Sequence, residues 1–312
     1  MKRKIANIVI GLIFFAGLSI LLYPTVSDYL NEKNSSRAIA AYDKVIEELP
    51  PEDHSKELMD AADYNTYLAQ FNSLSGAALA EKRRDDSPYE ALLNVNGDGM
   101  MAVIRIPAIN VNLPVYHGTE EITLQTAIGH YEGSSLPIGG ESTHAILTGH
   151  RGLPSAKLFT DLDRLEVGDV FYIKVLGEIL EYQIDQIETV LPSELDSLSI
   201  TPGEDYITLV TCTPYGINSH RLLIRGTRIE YDGNYEEKVP MKPAPANSDI
   251  PQEARGNGLS ERQWIIIGAV AFAAAILLGL LIPGKKVPDA GGKGKTAEGS
   301  KTEKKEGSHE EK

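Results

Sequence analysis

The stretch Tyr206-Ile207-Thr208-Leu209-Val210-Thr211-Cys212-Thr213-Pro214-Tyr215-Gly216 carries the one cysteine of a 312-residue chain. Residues 206–212 are rich in β-branched side chains and read as a strand, and Pro214 and Gly216 break it at once. The thiol therefore stands at a strand end beside a loop, where the strand gives rigid support and the loop leaves room for a ligand. A free thiol has a pKa of about 8.5, so useful chemistry near neutrality requires a base or a cation beside it.

Working outward, the same short-strand pattern recurs at 102–106, 111–116, 143–148, 171–176, 179–184 and 221–229, each bounded by Gly, Pro, Asn or Asp. Many short strands with few helices predict a mainly β fold closed into a barrel, with short helices near 123–127 and 155–162. In 179–187 the apolar alternation slips its phase at Ile187, which predicts a bulge. Ahead of the barrel, Ile39, Tyr42 and Ile46, then Leu58, Ala61, Tyr64 and Leu68, recur at helical spacing on either side of Pro50-Pro51, predicting two helices.

Two apolar runs frame this central part. Residues 5–22 follow Lys2, Arg3 and Lys4 and contain no charge, and residues 264–282 begin at Trp264 and precede Lys285 and Lys286. Each is long enough to cross a hydrocarbon layer of about 30 Å. Residues 23–29 offer no small-x-small cleavage site, so the first run reads as a retained anchor. Basic residues flank the outer end of both runs, which puts both termini in the cytoplasm and the barrel outside. The tail beyond Pro283 is Lys, Glu and Gly with almost nothing to bury, so disorder is expected there.

Composition excludes several classes. A net charge of -14 is the wrong sign for a nucleic-acid binder, which needs basic groups to displace counterions from phosphate. A single cysteine rules out an intramolecular disulfide and a multi-cysteine zinc site. The segment from Asn94 to Gly99 imitates the start of a calcium loop, yet Arg105 stands where a bidentate glutamate is required, so it reads as a turn and no metal is expected. No cofactor is expected either.

A lone thiol outside the membrane suggests wanted thiol chemistry. Of the outer histidines His54, His117, His130, His144, His150 and His220, the one at 150 ends an apolar run and enters Gly149-His150-Arg151-Gly152, a second strand end leading into a flexible turn. His117 and His130 remain competitors. An aimed donor for an oxyanion could come from Arg221 or Arg225, both in the last strand. No carboxylate placed to orient the histidine is evident.

Three motifs in order give this part of the chain a family resemblance. Thr208-Leu209-Val210-Thr211-Cys212 resembles the sortase signature Thr-Leu-x-Thr-Cys, Thr148-Gly149-His150 resembles the family's histidine segment, and Arg221 follows the cysteine at the family's spacing. The resemblance covers about 101–230. It implies an eight-stranded sortase barrel, with Cys212 as nucleophile, His150 as proton carrier and Arg221 as oxyanion stabiliser, the three meeting at one mouth of the barrel. The flanking spans and the helical extension resemble the pilus-assembling class C enzymes, which carry a lid of Asp-Pro-aromatic sequence. Here Asp85-Asp86-Ser87-Pro88-Tyr89 departs from that pattern, because Ser87 precedes the proline; Asp86, Pro88 and Tyr89 are the lid candidates, with Tyr89 over the thiol.

The domain plan that follows is an anchor at 1–25, a helical extension at 26–84, lid and turn at 85–100, the barrel at 101–232, a linker at 233–262, a second span at 263–283 and a tail at 284–312. The activity implied is cleavage of a Leu-Pro-x-Thr-Gly-like sorting signal between Thr and Gly, with transfer of the acyl group to a lysine amine of a pilin subunit. A cysteine peptidase acting on a similar signal and a non-catalytic assembly scaffold are the competing functions. The partners implied are secreted pilins or surface proteins bearing that signal, and the membrane.

Overall fold

The computed structural model describes residues 2–70, 89–194, 196–235, 242, 268 and 272. Eight strands close into a barrel in the order β1-β2-β3-β4-β7-β8-β6-β5. They are β1 (Met100–Ile106), β2 (Val111–His117), β3 (Ile128–His130), β4 (Thr143–Thr148), β5 (Val170–Val175), β6 (Glu178–Val190), β7 (Asp205–Thr213) and β8 (His220–Ile229). The pairs β2–β3 and β4–β7 are parallel and all others antiparallel. Alternation sorts the side chains. Ala145 and Leu147 of β4, Ile207 and Leu209 of β7, and Leu222 and Ile224 of β8 point into the core. Removing such side chains from water, at about 25 cal/mol per Å², is the main drive to close the barrel.

The expected bulge lies between Ile184 and Gln186, and past it β6 runs on to Val190, longer than the sequence pattern suggests. The strand β3 has three residues and leaves too short a pattern to read. A helix α3 forms at Glu121–Leu124, close to the one expected there. The helix expected near 155–162 is absent. Those residues form turns ending in a 3-10 turn at Leu162–Arg164, because Lys157, Asp161 and Arg164 serve an ion-pair cluster.

Helix α1 runs without a break from Lys2 to Glu48 through Pro24, joining the first apolar run to the helical extension, and α2 (Pro51–Gln70) follows the expected break. Among the described residues one helix, containing 5–48, is long and apolar enough to cross a membrane. Its C-terminal half docks on the barrel. The buried Tyr42 hydroxyl donates to Met101 O at 3.0 Å and accepts from Leu176 N at 3.0 Å, and Lys174 pairs with Asp43 at 2.8 Å. Apart from Gly268 and Phe272, the second apolar run lies outside the described residues, as do the tail and most of the linker. The residues first read as linker begin packed on the barrel, with Tyr235 buried 5.7 Å from the Tyr172 ring.

Candidate active site

The barrel brings His150, Cys212 and Arg221 into one row across three neighbouring strands. Cys212 pairs directly with Arg221 across β7 and β8. The parallel ladder of β4 and β7 ends at Thr148 opposite Val210, and Gly149 N still donates to Val210 O at 3.1 Å, so two residues further His150 stands level with Cys212. Since Leu209, Leu222 and Ile224 face the core, Cys212 and Arg221 share the opposite, outer face with Val210 and Leu223. The three groups thus lie at the end of an outer sheet face, beside the mouth rather than inside it.

The turn carrying His150 is pinned, in contrast to the flexible turn expected from its glycines. The Thr211 hydroxyl, one residue before the cysteine, donates to Gly149 O at 2.7 Å, which ties the end of β4 to β7. Phe159 N donates to His150 O at 3.1 Å. Arg151 is buried. Its guanidinium pairs with Asp163 at 3.0 Å and donates to Thr160 O at 3.3 Å and to the Thr213 hydroxyl at 3.1 Å, joining the histidine turn to the residue after Cys212. Space at Gly149 is tight, since a Cβ there would come within 2.6 Å of Ile128 and 2.9 Å of Phe159, which would have to move.

Partner geometry separates the candidates that the sequence left open. Arg225 is held in a fork by Asp185, at 3.0 and 2.8 Å, and stacks on Tyr206 with its carbon 4.3 Å from the ring centre. Arg221 instead donates to the backbone oxygens of Asn218 and His220, and among the described residues no carboxylate pairs with it. His144 is enclosed between Ser199 O and the Thr208 hydroxyl, and burial pushes its pKa down. His130 is fully buried, and its pKa falls to about 4 for the same reason. His117 places both ring nitrogens on backbone oxygens, of Gly99 and Leu92. His54 lies in α2, and His220 contacts Ser219.

Reading residues one at a time missed Glu121. Its carboxylate oxygen lies 3.5 Å from His150 Nε2, with the imidazole 28% and the carboxylate 69% exposed. It belongs to α3, far from both motifs in sequence, so no local pattern announces it. Arg151 was also missed, because an arginine beside a strand end reads as solvated.

Of the lid candidates, Asp86 and Pro88 lie outside the described residues. Tyr89 is buried on the β2–β3 side. Its hydroxyl contacts His130 Nδ1 at 2.9 Å and accepts from Gly118 N at 3.0 Å, and its ring lies 4.8 Å from that of His117. This position is on strands removed from β7 by β4.

The family model described as the sortase domain matches residues 104–229, the barrel from β1 to the end of β8. The solved structure of sortase C1 of GBS pilus island 1 is 44% identical, with a TM-score of 0.58, covering 63% of this chain and 99% of that one. The chain belongs to the sortase family. A lid mutant of Streptococcus agalactiae sortase C1 is likewise similar, at 42% identity and a TM-score of 0.54 over 62% of this chain and 97% of the other. Sortase A of Bacillus anthracis is 24% identical over 225 residues, which are 72% of this chain and 95% of that protein. Sortases are cysteine transpeptidases, and in its similarity to sortase C1 enzymes this chain resembles class C.

Proposed function

We infer that this sortase cleaves a Leu-Pro-x-Thr-Gly-like signal and joins the acyl group to a lysine amine of a pilin subunit. The observation that carries the reading is the row formed by His150 just past β4, Cys212 on β7 and Arg221 on β8. The Cys212 thiolate attacks the Thr carbonyl carbon, and the Arg221 guanidinium donates to the oxygen that becomes negative. Collapse breaks the C–N bond, and the departing glycine amine takes its proton from His150, leaving a thioester. The acceptor amine then attacks that thioester, gives its proton to His150, and the thiolate leaves.

The pilin substrate is supported by the similarity to a sortase of a pilus island, and membrane attachment by the apolar half of α1. A second span at 263–283 is supported by the Phe272 ring lying 5.5 Å from Phe14 of α1, and termini in the cytoplasm with the barrel outside are supported by the basic residues beyond both apolar runs.

Incubation with a signal peptide and a primary amine tests the reaction. An amide product and a thioacyl adduct on Cys212 by mass spectrometry are expected, both absent in Cys212→Ala. Release of free acid alone would replace transpeptidation with hydrolysis, and the absence of any adduct would remove catalysis by this cysteine.

A further inference from the structure

We propose that the rim of the active site rests on the outer headgroup layer of the same membrane that holds α1. The inference rests on the reading of residues 5–22 as a span and adds to it an orientation for the catalytic domain. Those residues make about 27 Å of helix, so a hydrocarbon layer of about 30 Å extends to roughly Pro24. The headgroup layer adds about 5–7 Å on that side. Asp28, about 6 Å beyond Pro24 along an unbroken helix, lies at its outer edge. Tyr23 and Tyr29, both exposed, bracket this level as interfacial aromatic residues do.

At this level α1 makes its first contacts with the barrel, and both are beside the site. Asp28 accepts from Lys157 N at 2.8 Å, and Lys157 lies in the loop whose Phe159 N donates to His150 O. Asn31 donates to Thr126 O at 3.1 Å, just past α3, whose Glu121 lies 3.5 Å from His150. The opposite end of the barrel is held by Tyr42 against Leu176, about 21 Å further along the helix from Asp28. The site end is therefore the membrane end.

That end carries the apolar exposure such a contact needs. Ile122 of α3 is 82% exposed and Ile217, in the turn between Cys212 and Arg221, is 71% exposed, while Val26 and Leu30, flanking Asp28 on α1, are half exposed. Glu120 and Glu121 adjoin Ile122, so the face suits zwitterionic lipid and is repelled by an anionic surface.

The test uses the full chain carrying Cys212→Ala, which removes the one native thiol, in phosphatidylcholine nanodiscs. Single cysteines at Ile122→Cys, Ile217→Cys and, as the distal control, Glu178→Cys carry an environment-sensitive fluorophore, and a spin label sits on the lipid headgroup. Quenching by half or more at 122 and 217, with less than a tenth at 178, is the expected result. Equal quenching at all three positions overturns the orientation while leaving the anchor intact. Failure of the chain to enter the discs overturns the anchor and the orientation with it.

Discussion

Arg151→Ala should cost this sortase both stability and activity, because one buried guanidinium ties together the two chain segments that carry the thiol and the imidazole. The side chain is 1% exposed and its partner Asp163 15% exposed, so little solvent screens their contact at 3.0 Å. Deleting one member of a buried pair costs about 3–5 kcal/mol, since the remaining charge and the oxygens of Thr160 and Thr213 lose their donor. For a domain of this size that corresponds to a fall in Tm of about 6–20 °C. Against a typical total of about 5–15 kcal/mol the variant still folds at low temperature, where turnover can be measured. Arg151→Lys keeps the charge but loses the planar fork, so a smaller loss of stability is expected together with a clear loss of kcat. Urea unfolding and single-turnover acylation of Cys212 measure the two effects. A midpoint for Arg151→Ala within about 1 kcal/mol of the parent, with acylation unchanged, would refute the bridge.

Burial of His130 predicts a pH dependence of stability. Its folded pKa of about 4 lies below the ordinary 6.5, so the unfolded chain binds the extra proton in between. Stability is full above pH 6.5 and declines by about 3 kcal/mol as the pH falls to 4, with His144 acting in the same direction; urea midpoints across that range measure it, and a His130→Asn variant should flatten the slope. Gly149→Ala should fold with a loss of about 1–3 kcal/mol as Ile128 and Phe159 give way, and the displaced His150 should slow acylation at least tenfold; a fully active variant would show that the turn has slack. Glu121→Gln should lower kcat/KM by no more than about fivefold, the range of an exposed ion pair, and a loss of a hundredfold would make Glu121 part of the chemistry rather than a support.

The barrel was legible where side chains alternate without interruption, as in Tyr206 to Cys212, and even the slip near Ile187 marked a real bulge. What escaped notice had a physical reason in each case. Three residues of β3 are too few for a period. Pro24 lacks one donor yet leaves α1 continuous, so the division between anchor and extension is not a break in the helix. Gly149 and Gly152 suggested mobility around His150, but their small size serves close packing, against Phe159 in one case and the Tyr215 ring in the other. The cysteine and histidine were recognisable as strand ends, whereas Glu121 and Arg151 act through tertiary contacts that no short window contains.

The parallel pairing of β4 with β7 has a consequence for the emerging polypeptide. His150 and Cys212 belong to strands separated by two others in sequence, and Arg221 lies in the last strand to be made. Long-range parallel contacts form late, because the intervening loop must close first. Until β4 has closed on β7 and β8, His150, Cys212 and Arg221 therefore stand apart, and their row exists only in the completed fold.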